Sequence, residues 1–502
     1  MTDSATGNTF FGHPRGLATL FMTEMWERLS YYGMRALLVL FMTESLASQN
    51  PGLGLNTETA GAIYGLYTGF VYLLALPGGW IADRLIGQRR AVLIGGALIA
   101  AGQFSLAVAS MPTFYLGLIL VVLGTGLLKP NVSAIVGDLY PEGGARRDAG
   151  FSVFYMGINL GAFIGPLICG GLGQSGIDFL GIHIKPDWHY GFAAAGTGMV
   201  LGLIQYVLGG HHLGDAGHLA EAQRESRGKA ARFLGLAILA VVALGVVLWL
   251  LNNAGIVHLT LQTLAVSTGG VIAGVAFVFL LSVIMFGGLN LEEKKRVVVI
   301  GVLFLGAALF WSGFEQAGSS LNLFAQRNTD LNILGWDMPA SWLQSVNPLF
   351  IIALAPVFGW LWLKMGERQP SIPVKFALGL VQLGVGFLVL AWGASFTTDG
   401  NLVSPMWLVV TYFLHTCGEL CLSPVGLSSM TKLSPKRYVG QMMGIWFMAA
   451  ALGNLVGGLI GGQFENFSLQ GLFGAVAATS IGFGLVLLAI SPWVRKLIGG
   501  VK

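Results

Sequence analysis

The sequence predicts an all-α polytopic membrane protein with fourteen spans and both termini on the cytoplasmic side. Three observations carry this prediction. Of 502 residues, 55% are hydrophobic and only 10% are charged, too little charge to cover a soluble surface. Apolar segments of about 20 residues, the length that crosses a bilayer, recur from one end of the chain to the other. Lys and Arg gather in every second connection, as the positive-inside rule requires of cytoplasmic loops.

The spans lie near 17–44, 57–82, 90–110, 113–138, 149–173, 189–209, 233–252, 264–288, 297–324, 340–364, 373–395, 404–431, 438–462 and 470–494. With the N-terminus inside, the basic clusters from Arg15 to Lys502 all fall on the inner side. The outer connections hold only Lys185 and Arg327, and only Arg28, Arg35 and Lys129 stand within spans away from their inner ends. An odd number of spans would break this alternation. The first apolar run starts late, is long and lacks a small-residue cleavage site, so no cleaved signal peptide is expected. Cys169, Cys417 and Cys421 fall in spans, where they read as small buried hydrophobes and not as a disulfide framework.

The connection after the second span reads GGWIADRLIGQRR and that after the tenth reads FGWLWLKMGERQP. Both place Gly-Trp at a helix end and basic residues around a following Gly, although the second lacks a counterpart of Asp83. The echo falls at matching places of two six-span halves once the seventh and eighth spans are set aside. The expected organisation is a six-helix bundle over 1–209, a polar linker with two inserted helices over 210–296, and a second six-helix bundle over 297–502. Between Phe233 and Leu291 the insert holds no ionisable residue except His258, placed in an outer loop, so its helices read as lipid-facing struts. Parallel halves with a midplane site suggest a transporter, and the first connection resembles the signature of the major facilitator superfamily. In that setting Asp83, Arg84, Arg89 and Arg90 would latch neighbouring helices in one access state, besides setting topology.

Within the first span, TEMWERLSYYGMRALLVLF commits Glu24, Glu27, Arg28 and Arg35 to the bilayer. Each charge costs about 2.5–3.5 kcal/mol at a helix centre, so an unpaired set would oppose insertion by roughly 10 kcal/mol. Glu24, Glu27, Arg28, Tyr31, Tyr32 and Arg35 follow helical spacing and form one polar stripe. A stripe facing a water-filled interior removes the penalty, whereas an ion-pair staple between helices would need fewer charges. The fourth span, GTGLLKPNVSAIVGDLY, adds Lys129 in mid-membrane ahead of Pro130, whose missing N–H invites a kink. A buried Lys needs an acidic partner or a lost proton, and Glu24 or Glu27 offers the partner. In the fifth span, FSVFYMGINLGAFIGP, Tyr155 and Asn159 share a face beside Gly161; the plainer use of Asn159 is an interhelical hydrogen bond.

The second half supplies Glu315, Gln316 and Ser319 in FWSGFEQAGSSLNLFAQR, Asn347 in QSVNPLF, and Glu419 and Ser423 in LHTCGELCLSPVGLSSM. His415, four residues before Glu419, is spaced to bond it and otherwise reads as a packed neutral ring. Trp446, in GIWFMAAALGNLVGG, suits a pocket wall or the core equally. The first half thus offers mainly cations, Arg28, Arg35 and Lys129, and the second offers the carboxylates Glu315 and Glu419. That division suits a zwitterion, and carboxylates beside cations exchange protons as partners come and go. No His/Cys/Glu cluster has metal-ligand spacing and no Gly-rich stretch follows a strand, so neither a metal centre nor an enzyme is expected.

EMWERLSYYG, GTGLLKPNVSAIVGDLY, FYMGINLGAFIGP and GELCLSPVGLS resemble, in order, the signature motifs of the proton-dependent oligopeptide transporter (POT/PTR) family within the major facilitator superfamily. The similarity spans the chain, and the extra helix pair is typical of bacterial members. Leu29 stands where the first motif usually has Phe, and Leu139 where Gln usually follows Gly-Asp; neither touches an ionisable position. The resemblance implies a symporter that imports di- and tripeptides across the cytoplasmic (inner) membrane by alternating access, driven by the proton gradient and without a cofactor. Its partners are then peptides, protons and the lipid bilayer, not nucleic acid, and a monomer is expected.

Carried over residue by residue, the resemblance makes Glu24 and Glu27 protonation sites and gives the peptide carboxylate to Arg28 and Lys129. Asn159, Asn347 and Glu419 would hold the peptide N-terminus. Glu315 would alternate between Arg35 and a protonated state, coupling the proton to a gate. Tyr31, Tyr32, Tyr155, Trp311, Ser423 and Trp446 would contact the peptide or line its pockets. Tyr72, eleven residues before Asp83, aligns with the family's second-span tyrosine ahead of Tyr64 and Tyr67. A carrier of nitrate or another small anion would leave Glu419 and the two asparagines unemployed, and a drug-proton antiporter has little use for three intramembrane cations. A peptide sensor that does not translocate would use the same site.

Overall fold

The computed structural model describes residues 9–179, 182–219 and 221–499; Lys502, counted among the inner basic residues, lies outside them, as does the side chain of Arg224. Apolar runs that must satisfy every backbone group internally in lipid fold as helices. They are α1 (Arg15–Thr43), α2 (Thr57–Leu73), α3 (Ala75–Ile81), α4 (Gln88–Leu106), α5 (Met111–Asp138), α6 (Gly144–Gly170), α7 (Trp188–Gly209) and α8 (Glu221–Asn253). There follow α9 (Leu261–Phe286), α10 (Leu291–Phe314), α11 (Ser320–Asn328), α12 (Val346–Met365), α13 (Ile372–Ala394), α14 (Met406–Leu433), α15 (Val439–Gly461) and α16 (Leu469–Ile498).

Among the described residues, 12 helical stretches are long and apolar enough to cross a membrane, some of them joining adjacent elements. The 29 residues of α1 and the 19 of α4 form two more long helices whose charged and polar residues hold them below that mark. The protein is an all-helical polytopic membrane protein. Two small antiparallel hairpins stand where plain loops were expected: β1 (Ile177–Phe179) with β2 (Ile182–Ile184), and β3 (Asn332–Ile333) with β4 (Trp336–Asp337). Their β-branched and aromatic residues favour pairing.

The expected ninth span, 297–324, is not one helix. α10 stops at Phe314, a 3₁₀ turn covers Glu315–Gly318, and α11 begins at Ser320. The second expected span likewise breaks at Leu74 and ends in a π-helical turn, Ala82–Ile86.

Contacts group the chain into two units. The first comprises Met1–Met34, Leu74–Gly165 and His189–Thr263. Its core packs Leu17, Leu20, Val92, Leu128, Val136 and Met199. Lipid tails are as apolar as leucine, so helices in a bilayer hold together by close backbone approach at small residues. Gly157, Gly161 and Gly165 recur every fourth residue along α6 and seat α1; a Cβ at Gly161 would lie 2.1 Å from the Met25 carbonyl oxygen.

The second unit comprises Arg35–Leu73, Pro166–Trp188 and Leu264–Lys502. Phe324, Phe387 and Phe473 are buried in it, with the Phe473 ring 5.7 Å from Phe324 and 6.1 Å from Phe387. α2 lies backbone to backbone on α15, where a Cβ at Gly458 would fall 2.4 Å from the Cα of Gly65. None of the most apolar stretch of α8 is buried and only 22% of that of α9, the pattern of a lipid-facing surface, and His258 falls in the connection between them.

Candidate functional site

One turn of α1 in the first unit carries a buried charge cluster. Arg28 Nε lies 3.2 Å from Glu24 Oε1 and pairs also with Glu27 Oε2, and none of the three side chains is more than 3% exposed. The guanidinium sits 5.2 Å from the Tyr31 ring centroid and 6.0 Å from that of Tyr32. Lys129, half-buried on α5, stands within electrostatic reach of Glu24. α5 runs through Pro130 to Asp138 without ending. Two carboxylates therefore face two cations. Glu24 Oε2, Glu27 Oε1 and Arg28 Nη2 are buried and have no hydrogen-bond partner among the described residues.

α6 closes one side of this cluster, a Cβ at Gly161 falling 2.9 Å from the Arg28 Cβ. The Asn159 amide donates to the Tyr155 carbonyl of its own helix at 2.9 Å, a bond within α6 and not the interhelical one that was its plainer alternative. Asn159 is buried, whereas Tyr155 is exposed.

A second cluster belongs to the second unit. Arg35 Nη1 lies 3.0 Å from Glu315 Oε2. The break after α10 turns the Glu315 carbonyl outward, and Tyr64 Oη donates to it at 3.1 Å. Gly318 makes room, because a Cβ there would lie 2.2 Å from Tyr64 Oη and 2.9 Å from Arg35 Nε. Asn347, in the first turn of α12, donates to Thr416 Oγ1 at 2.8 Å and to Glu419 Oε2 at 3.4 Å. Glu419 is within electrostatic reach of both Glu315 and Arg35. Here two carboxylates face one arginine.

The bond from His415 to Glu419 that their spacing allowed goes elsewhere: the His415 ring packs 4.8 Å from Phe387 and bonds the Leu383 backbone. Trp446 is buried edge-on to Phe376, over Gly426, where a Cβ would meet its ring at 2.1 Å. Trp311 is half-buried between Phe310 and Phe314. Ser423, one turn beyond Glu419, and Tyr72 on α2 are half-buried. Tyr64, Thr416 and Gly318 join this cluster without having been singled out. The signals for them were a polar residue within one turn of Glu419 and three tyrosines on α2, neither strong enough to choose among its neighbours.

In the π-helical turn after α3, Asp83 and Arg84 are exposed, and Asp83 accepts from the Gln88 side chain at 3.4 Å without an ion pair among the described residues. Arg89 binds the carbonyls of Ala216, at 2.7 Å, and Gly214, while Arg90 is exposed.

Comparison with known proteins places the chain in a family. The sequence pattern described as the POT family matches residues 89–479. The chain is 41% identical over 515 residues to a protein of Yersinia enterocolitica subsp. palearctica named peptide transporter YePEPT, covering 100% of this chain and 98% of that one. It is 37% identical over 505 residues to a di-/tripeptide transporter of Lactococcus lactis subsp. cremoris, with 99% of each covered. A crystal structure of a peptide transporter POT in complex with sulfate superposes with a TM-score of 0.88 at 42% identity, over 98% of this chain and 97% of that one. With a family match across most of the chain and such relatives end to end, this protein belongs to the POT family of transporters.

Proposed function

We propose that this protein is a proton-coupled symporter that imports di- and tripeptides across the cytoplasmic membrane by alternating access. The observation that carries the coupling is the buried cluster of Glu24, Glu27, Arg28 and Lys129. Its charges balance when all four groups are ionised. A peptide carboxylate taken by Arg28 and Lys129 leaves the cluster one negative charge in excess, and an unpaired buried charge is costly. Binding one proton on Glu24 or Glu27 removes the excess, so peptide and proton favour each other's binding.

The cluster in the second unit carries one negative charge in excess before any peptide arrives. Among the described residues Glu315 and Glu419 face Arg35, and a peptide ammonium held by Glu419, Asn347 and Asn159 supplies the missing positive charge. Protonation of Glu315 frees Arg35, which is the gating step. Tyr31, Tyr32, Tyr72, Tyr155, Trp311, Ser423 and Trp446 contact the peptide backbone or line side-chain pockets. Fixed contacts to the two termini, with roomy surroundings, give broad side-chain tolerance. One proton crossing 100 mV supplies about 2.3 kcal/mol, a roughly 50-fold accumulation.

The charge alternation of the loops supports fourteen spans with both termini cytoplasmic. The halves that rock are 1–209 and 297–502, with 210–296 inserted between them and Asp83, Arg84, Arg89 and Arg90 latching the inner side. The working form is a monomer.

The test is uptake of labelled dialanine by proteoliposomes holding the purified protein, in counterflow and under an inward proton gradient. The parent accumulates dialanine under the gradient, and Glu315→Gln keeps counterflow but loses accumulation. A parent that binds dialanine and never moves it is a sensor, and one that does not bind it carries another solute.

A further inference from the structure

A cavity of about 630 Å³ lies on the first unit, away from both charge clusters, and three arginines and a histidine line it: Arg89, Arg90, Arg227 and His218. We propose that this cavity binds the phosphate of an anionic phosphoglyceride, with the acyl chains running along α8. The proposal needs the protein only to sit in a membrane, so it stands whether or not the peptide reading holds.

The walls are built, not incidental. Arg89 N–H donates to the Gly217 carbonyl at 3.1 Å, and its side chain clamps Ala216 and Gly214. Tyr206 Oη donates to the Arg89 carbonyl at 3.3 Å. Gly87, with φ 81°, lets the chain turn so tightly that a Cβ would stand 3.1 Å from the Leu219 nitrogen. With Arg89 bound to carbonyls, Arg90, Arg227 and His218 remain as the exposed donors. Among the described residues no carboxylate lines the cavity. Asp138 accepts from the Gly217 N–H at 3.3 Å, Asp83 accepts from Gln88, and Asp215 is exposed outside the lining.

Two features favour a lipid over a soluble phosphate. Leu85, Ile86 and Leu219 complete the lining, so the basic end continues into an apolar wall. Arg227 stands six residues before Phe233, where the unburied apolar stretch of α8 takes over and Phe233 meets Trp80 with ring centroids 5.5 Å apart. Six helical residues span about 9 Å, within the reach of an arginine at a headgroup level marked by an aromatic pair. Basic pockets between helices on the positively charged face of a membrane protein suit such headgroups.

Native mass spectrometry of the full chain released from nanodiscs of equal phosphatidylglycerol and phosphatidylcholine tests this. The parent should retain phosphatidylglycerol, with about tenfold lower occupancy in the Arg227→Glu/His218→Ala variant, a smaller loss in Arg227→Ala, and no loss in Arg495→Ala/Lys496→Ala. Equal retention by parent and pocket variants overturns the proposal, as does equal loss in the Arg495/Lys496 control, which would mark diffuse attraction. Phosphatidylcholine retained as well as phosphatidylglycerol also overturns it. Displacement of the lipid by millimolar inorganic phosphate would assign the cavity to a soluble anion instead.

Discussion

Arg35 and Glu315 meet at 3.0 Å with side chains 5% and 4% exposed, so the second unit holds a buried ion pair where one of its helices is broken. Breaking a buried pair by removing one partner costs about 3–5 kcal/mol, because the other charge stays behind. Glu315→Gln should therefore lower the unfolding midpoint in detergent well below that of the parent, and adding Arg35→Gln should recover most of the loss. Thermal unfolding of the parent, both single variants and the double variant measures the coupling. Additive single losses would show that the two side chains do not act as a pair.

Lys129 balances the Glu24, Glu27 and Arg28 cluster. Losing one charged hydrogen-bond donor to a peptide carboxylate costs about 1.5–3 kcal/mol, or roughly 10- to 100-fold in affinity. Lys129→Ala should weaken dialanine binding by that factor, measured by calorimetry in detergent. An unchanged affinity would remove Lys129 from the binding role.

The α1 and α6 backbones touch at Gly161, where a Cβ would fall 2.1 Å from the Met25 carbonyl oxygen, while Gly274 on α9 has nothing within 4 Å. Overpacking of this kind costs about 1–3 kcal/mol. Gly161→Ala should lower stability by that amount and Gly274→Ala should leave it unchanged or raise it, as followed by size-exclusion profiles after a heating series. Matching profiles for the two variants would contradict the packing.

Beyond the end of α5, Tyr140 Oη and His13 Nδ1 are 2.9 Å apart. Burial raises the phenol above its ordinary value of 10, against the opposing pull of Arg146. A folded value above the unfolded one means that the contribution is intact below pH 10 and is lost as the pH climbs through the folded value. Tyr140→Phe should cost about 1 kcal/mol at pH 7 and should show a shallower loss of stability above pH 10 than the parent. Parallel stability curves from pH 7 to 11 would remove Tyr140 from the alkaline transition.

Much of the candidate site is legible in residue spacing. Glu24, Glu27 and Arg28 are near neighbours on any helix, so their mutual pairing follows from local geometry alone. The need of Lys129 for an acid follows from the cost of a lone charge in lipid. Spacing misleads where several partners compete. Glu419 sits one turn from His415, yet its bond comes from Asn347, seventy-two positions away, while His415 turns to Leu383. Asn159 likewise spends its amide on its own helix.

The amino-acid sequence by itself determined that the chain is a bundle of membrane helices, which residues carry charge into the bilayer, and which of them share a helix face. Those properties depend on hydropathy and helical periodicity, which act over tens of residues. Only the tertiary structure decided that the ninth apolar run breaks at Glu315, that Tyr64 bonds the carbonyl freed there, and that Gly318 leaves space for Arg35. Residues 35, 64 and 315 lie far apart in the chain. An average over neighbouring positions cannot register how such distant side chains share one small volume, and there a single carbonyl or a missing Cβ selects the arrangement.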